Sequence, residues 1–283
     1  MSERAEIVEV GPRDGLQNEG RIIPTEAKIE LVDRLSACGF TRIEVTSFVN
    51  PKRVPQMADG AQVLAGIARD PSIRYAALTP NLRGFEGARE AGAEEVAIFA
   101  SASEGFSQAN IGCSIAESME RFAPVMEAAT SAGLPVRGYV SCVTHCPYDG
   151  AVAPDAVADV AARLVEMGCY EISLGETLGR ALPEETGAML DAVLGRVPAD
   201  RLAGHFHDTS GRALDNVAVC LERGLRVFDA SIGGLGGCPF APGAAGNVAT
   251  EGLALMLEAR GYETGLDAKR LAETAAFAKE LRA

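Results

Sequence analysis

The feature that most constrains the fold is a regular alternation of short strand-like runs with helical stretches. Eight such runs recur, namely EIVEV, TRIEVTSF, IRYAALT, EEVAIFA, PVRGYVSC, YEISLGE, RLAGHFHD and VFDASIGG. Strands that alternate with helices pair in parallel through right-handed crossovers. Eight strand–helix units between about residue 6 and residue 260 match the roughly 250 residues of a (β/α)8 barrel. The sequence therefore predicts an α/β fold, a (β/α)8 TIM barrel, with a doubly wound open sheet as the weaker alternative.

The C-terminal stretch LDAKRLAETAAFAKELRA predicts one additional helix beyond the eight units. Leu271, Ala275 and Ala278 recur at helical spacing and give this helix an apolar face. No Pro-, Gly- or Ser-rich linker divides the chain. Residues 1–283 are therefore predicted to form a single barrel domain that carries the catalytic site.

Composition excludes several classes of partner. The formal net charge of −13 argues against binding to nucleic acid or to an acidic membrane surface. No apolar run approaches the roughly 18 residues that a membrane span needs. The N-terminal MSERAEIVEV passes at once into a strand-like run, and the seven cysteines are scattered as reduced thiols would be. We expect a cytoplasmic protein, without nucleic-acid or membrane partners, that forms a homodimer or a larger homo-oligomer.

The two histidines of GHFHD are the strongest candidates for a functional site. The chain contains only three histidines, and His205 and His207 are separated by one residue. In a strand, residues two apart project to the same face, so the two imidazoles point together. Taken alone, a metal pair and a hydrogen-bonded polar core are equally good interpretations.

Neighbouring loops favour the metal interpretation. Barrel closure places the eighth strand beside the first and seventh, so Asp14 and the last loop can converge on the histidines. Asp14 could otherwise be a turn residue, and Asn247 could be the N-cap of VATEGLALMLEA. Glu251 would lie one turn on from Asn247, on the same helix face. Two imidazoles, a carboxylate and an amide suit Mg²⁺ or Mn²⁺, with Zn²⁺ also admitted.

The segment GGLGGCPFAPGAAGN predicts a flexible loop that can close over a site, because it has six glycines in fifteen residues. Cys238 lies at its centre. We favour a reactive thiol over a buried structural cysteine, and a thiol of ordinary pKa, about 8.5, can donate a proton. By contrast, Cys142, His145 and Cys146 lack a partner pair at structural-zinc spacing, so we interpret their clustering as fortuitous.

These motifs together resemble the 3-hydroxy-3-methylglutaryl-CoA lyase family. The matching segments cover nearly the whole chain; they are VEVGPRDGLQNE, IEVTSFVNPKRVPQM, LTPNLRGFE, VRGYVSC, GCYEISLGET, HFHD and GLGGCPFAPGAAGNVATE. The resemblance implies a (β/α)8 barrel that uses a divalent cation to cleave 3-hydroxy-3-methylglutaryl-CoA to acetyl-CoA and acetoacetate. This is a retro-Claisen reaction of leucine degradation and ketone-body metabolism.

By matching position, the resemblance also implies roles for individual residues. The metal ligands would be Asp14, His205, His207 and Asn247. Arg13 would contact the thioester carbonyl, Cys238 would protonate the product carbanion, and His205 or Asp14 would accept the hydroxyl proton. The residues that bind substrate would be Arg13, Gln17, Glu44, Ser47, Glu176, Thr177 and Glu251.

Three departures from the family pattern bear on the acyl-CoA substrate. Glu176 stands where the family usually has aspartate, which we expect to carry the carboxylate further into the pocket. Phe240 replaces a usual tyrosine, and His145 replaces a small residue. A lyase for a related branched 3-hydroxyacyl-CoA is therefore an alternative. An acyl-CoA-condensing synthase is another, because such enzymes share the barrel, the RDG motif and the two-histidine motif. Lys52 and Arg53 are candidates to bind the CoA phosphates, although a solvated basic turn is the commoner explanation of such a pair.

Overall fold

The barrel is closed by eight parallel strands in chain order. The computed structural model describes residues 3–236 and 246–282. Its barrel strands are β1 (Glu6–Glu9), β2 (Arg42–Ser47), β3 (Arg74–Leu78), β4 (Glu95–Ser101), β5 (Val136–Ser141), β6 (Glu171–Glu176), β7 (Leu202–Phe206) and β8 (Val227–Ala230). Strand β8 pairs in parallel with β1, which closes the barrel. The predicted (β/α)8 fold is confirmed, and the open-sheet alternative is wrong.

Helices surround the strands and cover the outside of the barrel. They are α1 (Thr25–Ser36), α2 (Gly60–Gly66), α3 (Leu82–Glu90), α4 (Glu104–Ile111), α5 (Ile115–Ala132), α6 (Pro154–Glu166), α7 (Pro183–Leu194), α8 (Ala213–Glu222), α9 (Thr250–Ala259) and α10 (Ala268–Glu280). The predicted C-terminal helix is α10, and its Leu271, Ala275 and Ala278 are buried. None of the helices in the described ranges is long and apolar enough to cross a bilayer. That residues 1–283 form a single domain stays a prediction.

The strands present two different faces because successive side chains point to opposite sides. Ile43 and Val45 of β2 face the helices and lie in the apolar core, as do Ile172 and Leu174 of β6. Full burial of such a side chain stabilises the fold by about 1.5–3 kcal/mol. The hydrophobic core therefore lies between the barrel and its helices, and the other face of each strand is left for polar residues.

The interior of the barrel contains a chain of ion pairs that the sequence analysis did not predict. At its floor, Arg42 contacts Glu6 and Glu171. The guanidinium of Arg137 then joins Glu171, with Nε at 2.7 Å from Oε1, to Asp229, with Nη2 at 2.7 Å from Oδ1. Charges buried this deeply require partners, and each of these has one. This series of ion pairs extends from the amino-terminal ends of the barrel strands towards their carboxyl ends.

Candidate active site

A cavity of about 760 Å³ opens at the carboxyl ends of the barrel strands. This is the end at which barrel enzymes place their active sites. The predicted site residues in its wall are Arg13, Asp14, Gln17, Thr177, His205 and His207. Its apolar wall includes Leu78, Phe99, Phe106, Tyr139 and Val140. The structure thus brings residues from distant parts of the sequence to one concave site.

Arg13 and Asp14 reach the cavity on a single helical turn that follows β1 directly. The turn spans Gly11–Gly15. Close packing explains both glycines. A Cβ at Gly15 would lie 2.7 Å from the Cβ of Leu235, and one at Gly11 would lie 2.6 Å from a Glu9 carboxylate oxygen. The sequence GPRDG therefore holds this turn tightly against the loop after β8.

Asp14, His205 and His207 form a compact group that could hold a metal ion. Their candidate ligand atoms all lie within 4.8 Å of one another. The Nε2 atoms of both histidines lie 3.9 Å from Asp14 Oδ2, and the two imidazole rings are 5.5 Å apart. His207 follows β7 directly, and its side chain faces the same side as that of His205, as the two-residue spacing predicts. Across residues 3–236 and 246–282, this is the group of His, Cys, Asp and Glu side chains close enough for metal binding.

Asn247 joins this group through Asp14. Its Nδ2 donates a hydrogen bond of 2.8 Å to Asp14 Oδ2, and its backbone forms an antiparallel bridge with His207. The residue is not an N-cap, since α9 begins at Thr250 and Ala249 occupies the cap position. Rotation of the last torsion would present the amide oxygen instead of the nitrogen. Two imidazoles, a carboxylate and an amide oxygen fit a divalent cation.

His205 is oriented by a carboxylate on the side of its ring away from Asp14. Its Nδ1 lies 3.0 Å from Asp229 Oδ2, which also accepts a 2.7 Å hydrogen bond from Ser173 Oγ. Burial opposes the ionisation of Asp229, but Arg137 and His205 outweigh it and hold its pKa below the ordinary range. The network assigns the Nδ1 proton to the Asp229 contact, which leaves Nε2 as the ligand atom.

Arg13 is fixed between two carboxylates. Its Nε donates to Glu44 Oε2 at 2.6 Å and its Nη1 donates to Asp14 Oδ1, while the guanidinium lies 5.4 Å from the ring centre of Tyr139. Burial disfavours its charge, but Glu44 and Asp14 raise the pKa of Arg13 above its ordinary value. Burial likewise opposes the ionisation of Asp14, yet Arg13 and the two histidines hold its pKa well below the ordinary range. The site therefore pairs a permanent cation with an ionised potential ligand.

Three other predicted residues present buried oxygen atoms. Gln17 Oε1, Glu44 Oε1 and Ser47 Oγ have no hydrogen-bond partner among the described residues. Buried polar atoms are nearly always hydrogen-bonded, so these positions favour a bound ligand or ordered water. Thr177, in the cavity wall, accepts a 2.9 Å hydrogen bond from the backbone N–H of Cys142.

Two of the predicted substrate-binding residues, Glu176 and Glu251, do not line the cavity. Glu176 lies between the cavity-wall residues Gly175 and Thr177, so strand alternation sends it to the other face, where it accepts a 3.0 Å hydrogen bond from the Arg180 backbone. The expectation that the Glu176 carboxylate extends further into the pocket is therefore wrong. Glu251 accepts a 3.0 Å hydrogen bond from the backbone of Gly233, in the turn after β8.

The expectation that Glu251 shares a helix face with Asn247 is also wrong, because Asn247 precedes the helix. Cys238 and Phe240 lie outside the described residues. Their predicted contributions to the site stay predictions.

Comparison with known proteins identifies the family. The HMGL-like family model matches residues 4–278. The chain belongs to the HMGL-like family. A cytoplasmic 3-hydroxy-3-methylglutaryl-CoA lyase of Danio rerio is 57% identical over 271 residues, which are 96% of this chain and 81% of the relative. The Pseudomonas aeruginosa "3-hydroxy-3-isohexenylglutaryl-CoA/hydroxy-methylglutaryl-CoA lyase" is 55% identical over 273 residues, 96% of this chain and 91% of that one.

A solved structure also supports the family assignment. The crystal structure of the HMG-CoA lyase from Brucella melitensis superposes with a TM-score of 0.99 at 60% identity, and the match covers 99% of each chain. The resemblance to the 3-hydroxy-3-methylglutaryl-CoA lyase family is therefore confirmed.

Proposed function

We propose that this protein is a carbon–carbon lyase that cleaves 3-hydroxy-3-methylglutaryl-CoA to acetyl-CoA and acetoacetate. The observation that carries the proposal is the convergence of Asp14, His205 and His207 beside the Arg13 guanidinium in one cavity. Relatives at 55–60% identity are named as lyases of this thioester. The site also supplies the charges that the reaction needs.

The first chemical requirement is an acidic substrate hydroxyl. A tertiary alcohol must lose its proton before the neighbouring C–C bond can break. A divalent cation held by Asp14, His205, His207 and Asn247 would supply Lewis acidity to that hydroxyl. We propose Mg²⁺ or Mn²⁺, with Zn²⁺ as the alternative, because the donor set mixes oxygen and imidazole ligands.

The second requirement is stabilisation of the charge that develops on the thioester. Arg13 lies in the cavity wall, and its two carboxylate partners hold it in place before the substrate arrives. A fixed guanidinium meets developing negative charge without reorganisation, which is the main source of electrostatic catalysis. We propose that Arg13 contacts the thioester oxygen as the C–C bond breaks.

The remaining requirements are proton transfers. His205 and Asp14 both lie in the cavity wall, and we propose that one of them accepts the hydroxyl proton. Asp14 would use a carboxylate lone pair that does not bind the cation, whereas His205 would use Nε2 in a state in which that nitrogen is not bound to the cation. Cys238 then gives a proton to the product carbanion, which completes acetyl-CoA. The electron pair of the broken C–C bond takes up this proton, so no oxidant or reductant is needed.

A second candidate substrate is a 3-hydroxyglutaryl-CoA with a longer branch at C3. The Pseudomonas aeruginosa relative is named for both an isohexenyl and a methyl substrate. The apolar side chains of Leu78, Phe99 and Phe106 line the cavity of this protein. Such a wall is suited to an alkenyl chain, since burial of apolar surface favours binding.

Assays of the purified protein with Mg²⁺ or Mn²⁺ test both candidates. We expect acetoacetate and acetyl-CoA from 3-hydroxy-3-methylglutaryl-CoA, loss of activity with EDTA, and recovery on adding the cation. A panel of C3-branched thioesters ranks the two candidates by kcat/KM. Release of free CoA from acetyl-CoA and a 2-oxo acid, without lyase activity, would instead indicate a condensing synthase.

A further inference from the structure

The segment after β8 borders the candidate metal site at Asn247. Leu235 O accepts a 3.4 Å hydrogen bond from Asn247 Nδ2, the same atom that donates to Asp14. A Cβ at Gly236 would lie 3.1 Å from Asn247 Nδ2 and 3.4 Å from the Cα of Gly15. Gly236 therefore packs against the candidate ligand Asn247 and against the turn that carries Asp14.

Packing and backbone conformation both require glycine at position 236. The φ of Gly236, +105°, lies in the region that residues with a Cβ rarely adopt. The Gly236 carbonyl group also occupies the space where a Cβ of Gly246 would lie. A shift of Gly236 would displace its neighbours, because close-packed groups transmit strain. The orientation of the Asn247 amide thus depends on where Gly236 is held.

The side chain of Glu19 holds Gly236 in this position. Glu19 Oε1 accepts a 3.4 Å hydrogen bond from the Gly236 N–H and lies 3.0 Å from Arg282 Nε. The Glu19 side chain is only 11% exposed. Its backbone is fixed as well, because the Glu19 carbonyl oxygen accepts a 2.9 Å hydrogen bond from Gln56 Nε2. A carboxylate held in this way is a fixed acceptor for the Gly236 N–H.

We propose that Glu19 is a positioning residue that fixes Gly236 and, through it, the Asn247 amide for cation binding. The inference rests on the proposed function and deepens it, since Glu19 is not one of the candidate ligands. The ion pair with Arg282 adds little to stability, because the Arg282 side chain is 39% exposed. Its role is to keep Glu19 Oε1 directed at Gly236.

Two substitutions at Glu19 separate reach from charge. Glu19→Asp keeps the negative charge but withdraws the carboxylate from Gly236 by about one C–C bond length. Glu19→Gln loses the charge but keeps an oxygen acceptor at the same distance. Glu26→Gln, at an exposed position on α1, is the control for loss of one carboxylate.

Calorimetric titration with Mn²⁺ measures the effect on the candidate metal site. Partners that orient a metal ligand typically contribute about ten- to 100-fold to metal affinity. Because Gly236 stands between Glu19 and Asn247, we expect about tenfold weaker binding in Glu19→Asp. Glu19→Gln and Glu26→Gln should each change the affinity less than about twofold. Wild-type affinity in Glu19→Asp, or an equal loss in Glu19→Asp and Glu19→Gln, would overturn the positioning role.

Hydrogen exchange of the Gly236 amide provides a readout that needs neither metal nor turnover. The amide should exchange several-fold faster in Glu19→Asp than in the wild type, and at the wild-type rate in Glu19→Gln. The melting temperatures of the three proteins should agree within a few degrees, since the half-exposed ion pair contributes little to stability. Unchanged exchange in Glu19→Asp would show that Glu19 does not hold Gly236.

These measurements separate the inference from the proposed function. The expected pattern of Mn²⁺ affinity and amide exchange, in a protein that does not cleave 3-hydroxy-3-methylglutaryl-CoA, would refute the proposed reaction and leave the role of Glu19 standing. Lyase turnover together with wild-type Mn²⁺ affinity in Glu19→Asp would refute the role of Glu19 and leave the reaction standing.

Discussion

His205 Nδ1 lies 3.0 Å from Asp229 Oδ2, and this contact connects the candidate metal site to the charged interior of the barrel. Asp229 is held in turn by Arg137, which also binds Glu171 near the floor. A carboxylate on one nitrogen of an imidazole fixes the ring and makes the other nitrogen a better ligand. Arg137 and Glu171 therefore help to orient the candidate ligand His205 through Asp229, which contacts it directly.

Replacing Asp229 should weaken metal binding although the residue is not one of the candidate ligands. We expect Asp229→Asn to lower the affinity for Mn²⁺ about ten- to 100-fold, because the His205 ring loses its anionic partner. The variant should also melt at a lower temperature, since Arg137 loses an ionic partner in a buried site. Calorimetric titration with Mn²⁺ and thermal unfolding measure the two effects. Asp191→Asn, an exposed partner of Arg223, is the matched control, and equal Mn²⁺ affinity in both variants would contradict the orienting role.

Arg13 should contribute to turnover and not to metal affinity. We expect Arg13→Gln to lower kcat about 100- to 1000-fold, because the developing charge on the thioester loses its fixed donor. The same change removes a positive charge from beside Asp14, so Mn²⁺ should bind equally well or more tightly. Kinetics and Mn²⁺ titration on the same preparation check both parts. Weaker Mn²⁺ binding with near-normal kcat would reverse the assignment.

Cys238 should act in the chemical step alone. We expect Cys238→Ser to lower kcat by about 100-fold or more, since a serine hydroxyl is a much weaker acid than a thiol. Affinity for Mn²⁺ should not change. Cys113→Ser, at a buried cysteine outside the cavity wall, is the control for loss of a thiol. Wild-type turnover by the Cys238→Ser enzyme would rule out the thiol as the acid.

The barrel could be predicted from the sequence because its strands and helices each produce a clear local pattern of apolar and polar residues. All eight strand-like runs became barrel strands, and the two-residue spacing of His205 and His207 correctly placed both side chains on one face. Asn247 was more difficult, because VATEGLALMLEA reads as one continuous helix. Backbone bridges from Asn247 to His207 and from Ala249 to Ser231 hold residues 247–249 extended, and tertiary pairing of this kind leaves no trace in periodicity.

The interior ion pairs were missed although the sequence carries a signal for them. Arg137, Glu171 and Asp229 alternate with apolar residues, which is also the pattern of a strand with one solvent-exposed face. Barrel strands are buried on both faces, so a charge within one must have a partner inside the barrel. The fold class therefore predicts that partners exist. Which residues pair depends on side-chain reach across the closed barrel, which the sequence alone does not specify.

Glu9 connects three segments of the site and should make stability depend on pH. Its fully buried carboxylate accepts hydrogen bonds from Gly11 N at 2.8 Å, Ile232 N at 2.9 Å and Thr250 Oγ1 at 2.7 Å. These belong to the turn that carries Asp14, the segment after β8 and the start of α9. Despite the three donors, burial raises the pKa of Glu9 to about 7, and neighbouring Glu251 adds to the effect.

The sign of the pH effect follows from comparing the folded and unfolded chains. Between the ordinary pKa of 4.5 and about 7, the unfolded chain has lost the Glu9 proton while the folded chain retains it. Raising the pH through this window therefore favours unfolding, by about 3 kcal/mol in total once neutral pH is passed. Glu9→Gln removes this cost, because an amide stays neutral and Thr250 can reverse its hydrogen bond.

We expect Glu9→Gln to unfold close to the wild-type temperature at pH 5 and several degrees higher at pH 7.5. Thermal unfolding of both proteins across this range measures the difference, which should grow steadily between the two pH values. Glu120→Gln, at an exposed position on α5, controls for the loss of one surface carboxylate. A difference between Glu9→Gln and the wild type that is constant with pH would show that Glu9 is ionised in the folded protein throughout. In that case the three hydrogen-bond donors, rather than burial, would determine its charge.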